Sequence, residues 1–165
     1  MAVTTAVCDQ FKADLLGMAV HAAGNTYKLI LIKNGHSGTY GSGTIGAGAS
    51  AAVDGTGAPS TTLIGTDAIS ASNSTMGTYG VTGFTLTGFS SSLQTSTGCL
   101  DFTMAAAATG TTISASGAML YNSTQATGKS LACYAFAGAP IVSTGGNFTV
   151  TAPAVGASTS MIQIA

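Results

Sequence analysis

Residues 111–136, TTISASGAMLYNSTQATGKSLACYAF, read as two strands joined by a polar turn, and the rest of the chain is expected to pack on this hairpin. Over 111–122, Ile113, Ala115, Gly117, Met119 and Tyr121 fall on one face, with Thr112, Ser114, Ser116, Ala118 and Leu120 on the other. That is the twofold period of a strand and not the 3.6-residue period of a helix. Over 130–136, Leu131, Cys133 and Ala135 alternate with Ala132, Tyr134 and Phe136. Both faces are apolar, which predicts a strand inside a sheet and covered on each side. Between them, 122–129 holds Asn, Ser, Thr, Gln and Gly, residues that supply turn hydrogen bonds, with Gly128 as a hinge. No side chain in this stretch has the chemistry of a catalyst, so the hairpin speaks for architecture and leaves function to other parts of the chain.

Composition narrows the classes. A chain of 165 residues is the size of one domain, and 1–165 is read as a single unit. Its charge is sparse: five Asp, four Lys and neither Glu nor Arg make 5% of the residues, against about 25% in typical soluble domains. Ser, Thr, Asn and Gly therefore supply the polar surface, and they favour strands, turns and loops over helices. A net charge of −1 gives no electrostatic footprint for nucleic acid and no basic face for anionic lipid. The longest strongly apolar runs, 29–32 and 104–108, are far below the roughly 18 residues of a spanning helix, so no membrane partner is expected. The start, MAVTTAVCDQF, lacks the basic and apolar regions of a secretory signal. So few charges leave little colloidal repulsion, which suits a molecule that lives assembled with its neighbours; self-association as a trimer or dimer is the expectation.

The N-terminal stretch predicts the one helix, over about 5–23, capped by Thr4 or Thr5. Val7, Phe11, Leu15, Met18 and Ala22 recur along it at helical spacing, and Gly24 closes it. TYKLILIK at 26–33 predicts a strand, as do 80–89, 98–104, 147–152 and the terminal 160–165, with 61–69 a weaker candidate. The fold class is therefore mainly β: an antiparallel β-sandwich or barrel with one N-terminal α-helix. Residues 34–60 contain eight glycines in 27 residues without periodicity. Ordering such a loop costs on the order of 1 kcal/mol per residue, and only Tyr40, Ile45 and Val53 are large enough to offset it. They are the candidate assembly contacts of a loop expected to be mobile in the lone subunit and fixed against a neighbour.

Motifs of catalysis and ligation are absent or explained otherwise. Gly41, Gly43 and Gly46 satisfy GxGxxG, but seven residues separate Gly41 from the preceding strand and no helix is predicted after them, so no dinucleotide cofactor is expected. His36 in GHSG is read as a solvent-facing loop residue, and His21 as a cap in the last turn of the helix. Asp54, Asp67 and Asp101 are scattered and form no carboxylate pair. Cys8, Cys99 and Cys133 lack metal-ligand spacing and read as small buried hydrophobes whose replacement by Ser or Ala leaves assembly intact. No catalytic residue, metal site or cofactor is expected.

Three stretches carry a resemblance: TTAVCDQFKADLLGMAVHAAGNTYKLILIK at 4–33, TISASGAMLYNSTQATGKSLACYAF at 112–136 and GNFTVTAPAVGASTSMIQIA at 146–165. In their order of helix, strand, hairpin, strand and terminal strand, the chain resembles small virion structural proteins of tailed bacteriophages. The resemblance implies a non-enzymatic capsid decoration or cement protein. Its partners would be the major capsid protein and further copies of itself, and it would lie on the capsid surface after synthesis in the host cytoplasm. A tail, adaptor or fibre-associated protein is the alternative within that group. A virion-borne sugar-binding module is another alternative, and would stack exposed Tyr27, Tyr40, Tyr79 or Tyr134 on sugar rings.

Overall fold

The computed structural model describes residues 2–17, 21–38, 40–41, 67–80, 83–94, 97–103, 105–124, 129–151 and 161–164. The elements are β1 (Ala6–Val7), α1 (Asp9–Leu16), β2 (Tyr27–Lys33), β3 (Phe84–Gln94), β4 (Thr97–Thr103), β5 (Ala105–Asn122), β6 (Lys129–Ala135), β7 (Ile141–Thr151) and β8 (Ile162–Ile164). The fold is mainly antiparallel β with one short helix, as the alternation predicts.

The hairpin of β5 and β6 is its centre. Met119 faces Cys133 and Leu120 faces Ala132 across it, while β2 pairs with β5 from Tyr27 opposite Asn122 to Lys33 opposite Ala115. β5 is 18 residues long, well beyond the predicted strand, and its first half carries β7. β7 takes up the pairing, Ile141 on Ala115, just past the point where β6 leaves it, Ala135 on Gly117. β3 begins beside β2 and ends beside β4. Its register slips between Thr87 and Ser90, where Gly88 takes the left-handed conformation at φ 63° that a side chain would resist. The order β1-β6-β5-β2-β3-β4-β8 is an open path among the described residues, with β7 added on β5.

Both faces of the central strands are buried, but not in the expected phase. Ile113 and Ala115 share the larger core cluster with Ala118, Leu120, Leu29, Leu31 and Phe148. Met119 and Tyr121 lie in the smaller cluster with Ile30, Ile32, Tyr40 and Cys133. The reason is a bulge: Ile32 faces Gly117 and Lys33 faces Ala115, so Ser116 is an extra residue and the alternation reverses across it. A second bulge sits in β6, where Leu120 faces Ala132 but Tyr121 faces Ser130, leaving Leu131 as the extra residue. Leu131 therefore joins the larger cluster instead of sharing the Cys133 face.

The helix is shorter than predicted: α1 spans eight residues, not about 5–23. Sheet pairing wins at its start, where Ala6 and Val7 pair with Cys133 and Ala132, and the Thr4 N–H donates to the Tyr40 carbonyl. Thr and Val suit an extended chain, and docking the edge of β6 offers them more than a frayed first turn does. Phe11 of the predicted stripe is buried beside Asp14 and Val7 packs on the same core, whereas Leu15 is 44% exposed and Met18 lies outside the described residues.

Candidate functional site

The densest polar arrangement is built on Asp67, which is 3% exposed. Its carboxylate accepts hydrogen bonds from the Ser37 N–H at 2.9 Å, the Gly38 N–H at 2.8 Å, the Tyr40 hydroxyl at 2.6 Å and the Ser37 hydroxyl at 3.2 Å. Lys33 Nζ stands 4.0 Å away. Burial alone would raise this carboxyl, but the bonds donated by Tyr40, Ser37 and Gly38 outweigh it and hold the group below its ordinary range. Burial and the neighbouring carboxylate push the Tyr40 hydroxyl the opposite way, far up. Each Asp67 oxygen has at least two donors within reach, so the group is a tether for the chain at 37–40 and not an unsatisfied acid. Nothing in the sequence announces it, because Asp67 lies 27 residues from Tyr40 and is placed by the bridge of Ala68 to Ile32 and the bond from the Ile69 N–H to the Leu31 carbonyl.

Neither histidine stands where the sequence suggests. His36 is buried, not solvent-facing; its Nδ1–H donates to the Gly38 carbonyl at 2.8 Å, and its ring meets Tyr40 edge-on. His21 does not cap the last turn by its carbonyls. It folds back so that Nε2 lies 3.1 Å from Asp14 Oδ2, while Nδ1 lies 3.3 Å from the Asn122 amide nitrogen and the ring packs on Phe11. Asn122 can only donate through that nitrogen, which makes Nε2 the protonated atom. With one nitrogen donating to Asp14 and the other accepting from Asn122, the pair anchors the segment after α1 to the end of β5. It leaves no lone pair for activating a nucleophile.

Of the three candidate contacts, Tyr40 is fully buried within its own subunit, so it tethers the glycine-rich segment instead of presenting a surface to a neighbour. Ile45 and Val53 lie outside the described residues. At the start of that segment Asn34 donates to the Ser114 carbonyl and Asp67 holds Ser37, Gly38 and Tyr40, which corrects the expectation of a mobile stretch from 34 onward. Tyr27 and Tyr79 are 1% and 2% exposed, Tyr79 with its hydroxyl accepting from the Leu31 N–H, so with Tyr40 they offer no stacking face for a sugar. Cys8 and Cys133 are buried in the smaller cluster, as expected of small hydrophobes. Among the described residues no group of three or more His, Cys, Asp or Glu could hold a metal ion.

The surface feature that stands out is β7. Most of its residues are exposed, Val142 at 59% and Ile141 at 38%, and Ile-Val-Ser-Thr-Gly-Gly-Asn-Phe-Thr-Val-Thr has no charge and no proline. An open groove of about 280 Å³ lies beside it, lined by Phe136, Ile141, Phe148 and Val150 among others. Such an element can add main-chain hydrogen bonds and apolar contact to another chain; it has no group that performs acid, base or nucleophilic work. No family model, no curated protein and no solved structure matches the chain.

Proposed function

We propose that the protein is a non-enzymatic bacteriophage virion structural protein, a capsid decoration or cement protein that binds and stabilises the major capsid lattice. The observation that carries this reading is a chain in which only 5% of the residues are charged, so that Ser, Thr and Gly must supply most of its polar surface. Such a surface suits permanent contact better than transient, charge-steered encounter. The likeness of the three stretches to small phage virion proteins supports it. So does the inward use of Asp14, His21, His36 and Asp67, whose hydrogen bonds hold the fold together.

Copy number tests the reading. Quantitative gel analysis of purified virions is expected to find hundreds of copies per particle, and adding the protein to particles stripped of it should raise the temperature at which they release DNA, since binding stabilises the bound state by mass action. A few copies per virion would move the protein to a tail, adaptor or fibre position. Absence from virions would overturn the proposal.

A further inference from the structure

We propose that the outer edge of β7 is a homodimerisation surface, on which β7 of a second copy of this chain pairs antiparallel about a two-fold axis. Among the described residues, β1, β7 and β8 each pair with one strand only, and β1 and β8 are two and three residues long. Short edges resist pairing with foreign strands, as do edges carrying charge or proline. β7 is eleven residues long and carries neither charge nor proline; the bulge at Gly145 is the one edge device it has.

Its own pattern makes a second copy the fitting occupant. Gly146 faces Thr111 and Thr144 faces Thr112, so Gly145 is an extra residue and the side-chain phase reverses across it. Ser143 and Phe148, at 7% and 2% exposure, consequently lie on the inner face with Ile141 and Val150, while Val142, Thr144 and Thr149 lie on the outer face. Two such strands related by a two-fold axis match inner face to inner face in the register that sets Ile141 opposite Val150 of the other copy, Val142 opposite Thr149, and Ser143 opposite Phe148. The half-exposed Ile141 of each copy then meets the groove that Phe136, Phe148 and Val150 line in the other. Neither edge brings a charge, so no desolvated ion is left in the join.

The join is a small one. An eleven-residue strand is about 37 Å long and presents an edge about 10 Å thick, which gives on the order of 1,000 Å² of total buried surface once the side chains are included. That is the low end for a specific interface, where weak association is common, so the test spans micromolar concentrations.

Sedimentation velocity of the full chain from 5 to 500 µM is the test. Wild type is expected to shift from monomer to dimer across this range. V142K/T149K sets like charges opposite each other twice across the axis, and should raise the dissociation constant at least about tenfold without changing circular dichroism or Tm. V142K/T149D places opposite charges at the same two positions, and should return the dissociation constant to within about threefold of wild type. A wild type that stays monomeric at 500 µM, a V142K/T149K variant that dimerises like wild type, or a V142K/T149D variant that stays as weak as V142K/T149K would each overturn the proposal. The inference deepens the self-association expected from the sparse charge of the chain. Its test needs no particle, so a monomer in solution and a chain missing from virions are separate failures.

Discussion

Asp67→Asn is expected to lower stability by about 3–5 kcal/mol and Tm by roughly 10 °C. The carboxylate receives donors from Ser37, Gly38 and Tyr40 on its two oxygens, and an amide can offer only one oxygen while turning its NH₂ toward a donor. Two hydrogen bonds to a charged acceptor, at about 1.5–3 kcal/mol each, set the magnitude, and about 2–4 °C per kcal/mol converts it to Tm. The pH dependence identifies the cause. The group's ordinary value is 3.8, and the fold lowers it. Its ionised form is therefore the one that folding stabilises; the contribution is fully present above about pH 4 and disappears as pH falls through the folded value. Thermal melts of wild type and variant between pH 7 and pH 2 should show a gap that is constant above pH 5 and closes in acid. A gap of the same size at pH 2.5 would mean that side-chain shape, not the charge, is what the variant loses.

The second large effect is Gly117→Val, expected to cost about 3 kcal/mol or more and to lower Tm by roughly 6–12 °C. A Cβ at this position would collide with the carbonyl of Tyr134 and would come 2.6 Å from Cγ1 of Val3. The carbonyl cannot retreat, because Gly117 pairs with Ala135 on one side and Ile32 on the other. Val3 is tied down too, through its bridge to Tyr40 and the bond from Thr4 to the Tyr40 carbonyl. Val has the higher strand propensity, so local preference predicts stabilisation and tertiary contact predicts the reverse. Urea unfolding of the two proteins decides: a variant with an unchanged midpoint would show that the N-terminal segment does not press on β5. Val3→Ala in the Gly117→Val background should recover part of the loss, because it removes one of the two obstructing groups.

The glycine-rich segment shows the limit of local reasoning. Its composition predicts that it cannot order itself, and its described residues are held from elsewhere in the chain: Asp67 binds Ser37, Gly38 and the Tyr40 hydroxyl, while Ala2 and Thr4 bond to the Tyr40 backbone. Tyr40, chosen as a contact for a neighbour because it is the largest side chain there, is used up by that same carboxylate and by the smaller core cluster.

Sequence alone determined the class of the protein and its centre. Alternation over 111–122 and 130–136 placed the hairpin, and that over 26–33 marked β2 as a strand, because a period of two with apolar residues on both faces has one low-energy solution, a strand inside a sheet; that β2 lies beside β5 came only from the pairing. Alternation is blind to register, however, since one extra residue reverses every side chain beyond it, so the bulges at Ser116 and Leu131 were decided only by pairing with Ile32, Lys33 and Tyr121. The same holds for α1, whose first turn was lost to β6, and for His21, His36 and Asp67. Their partners lie at Asn122, Tyr40 and Ser37, and such partners are chosen by how the chain folds back and not by spacing along it. The outer edge of β7 belongs to the tertiary structure as well: alternation marked a strand only over 147–152, whereas pairing with β5 extends it back to Ile141, and only the sheet order leaves that edge unpaired among the described residues.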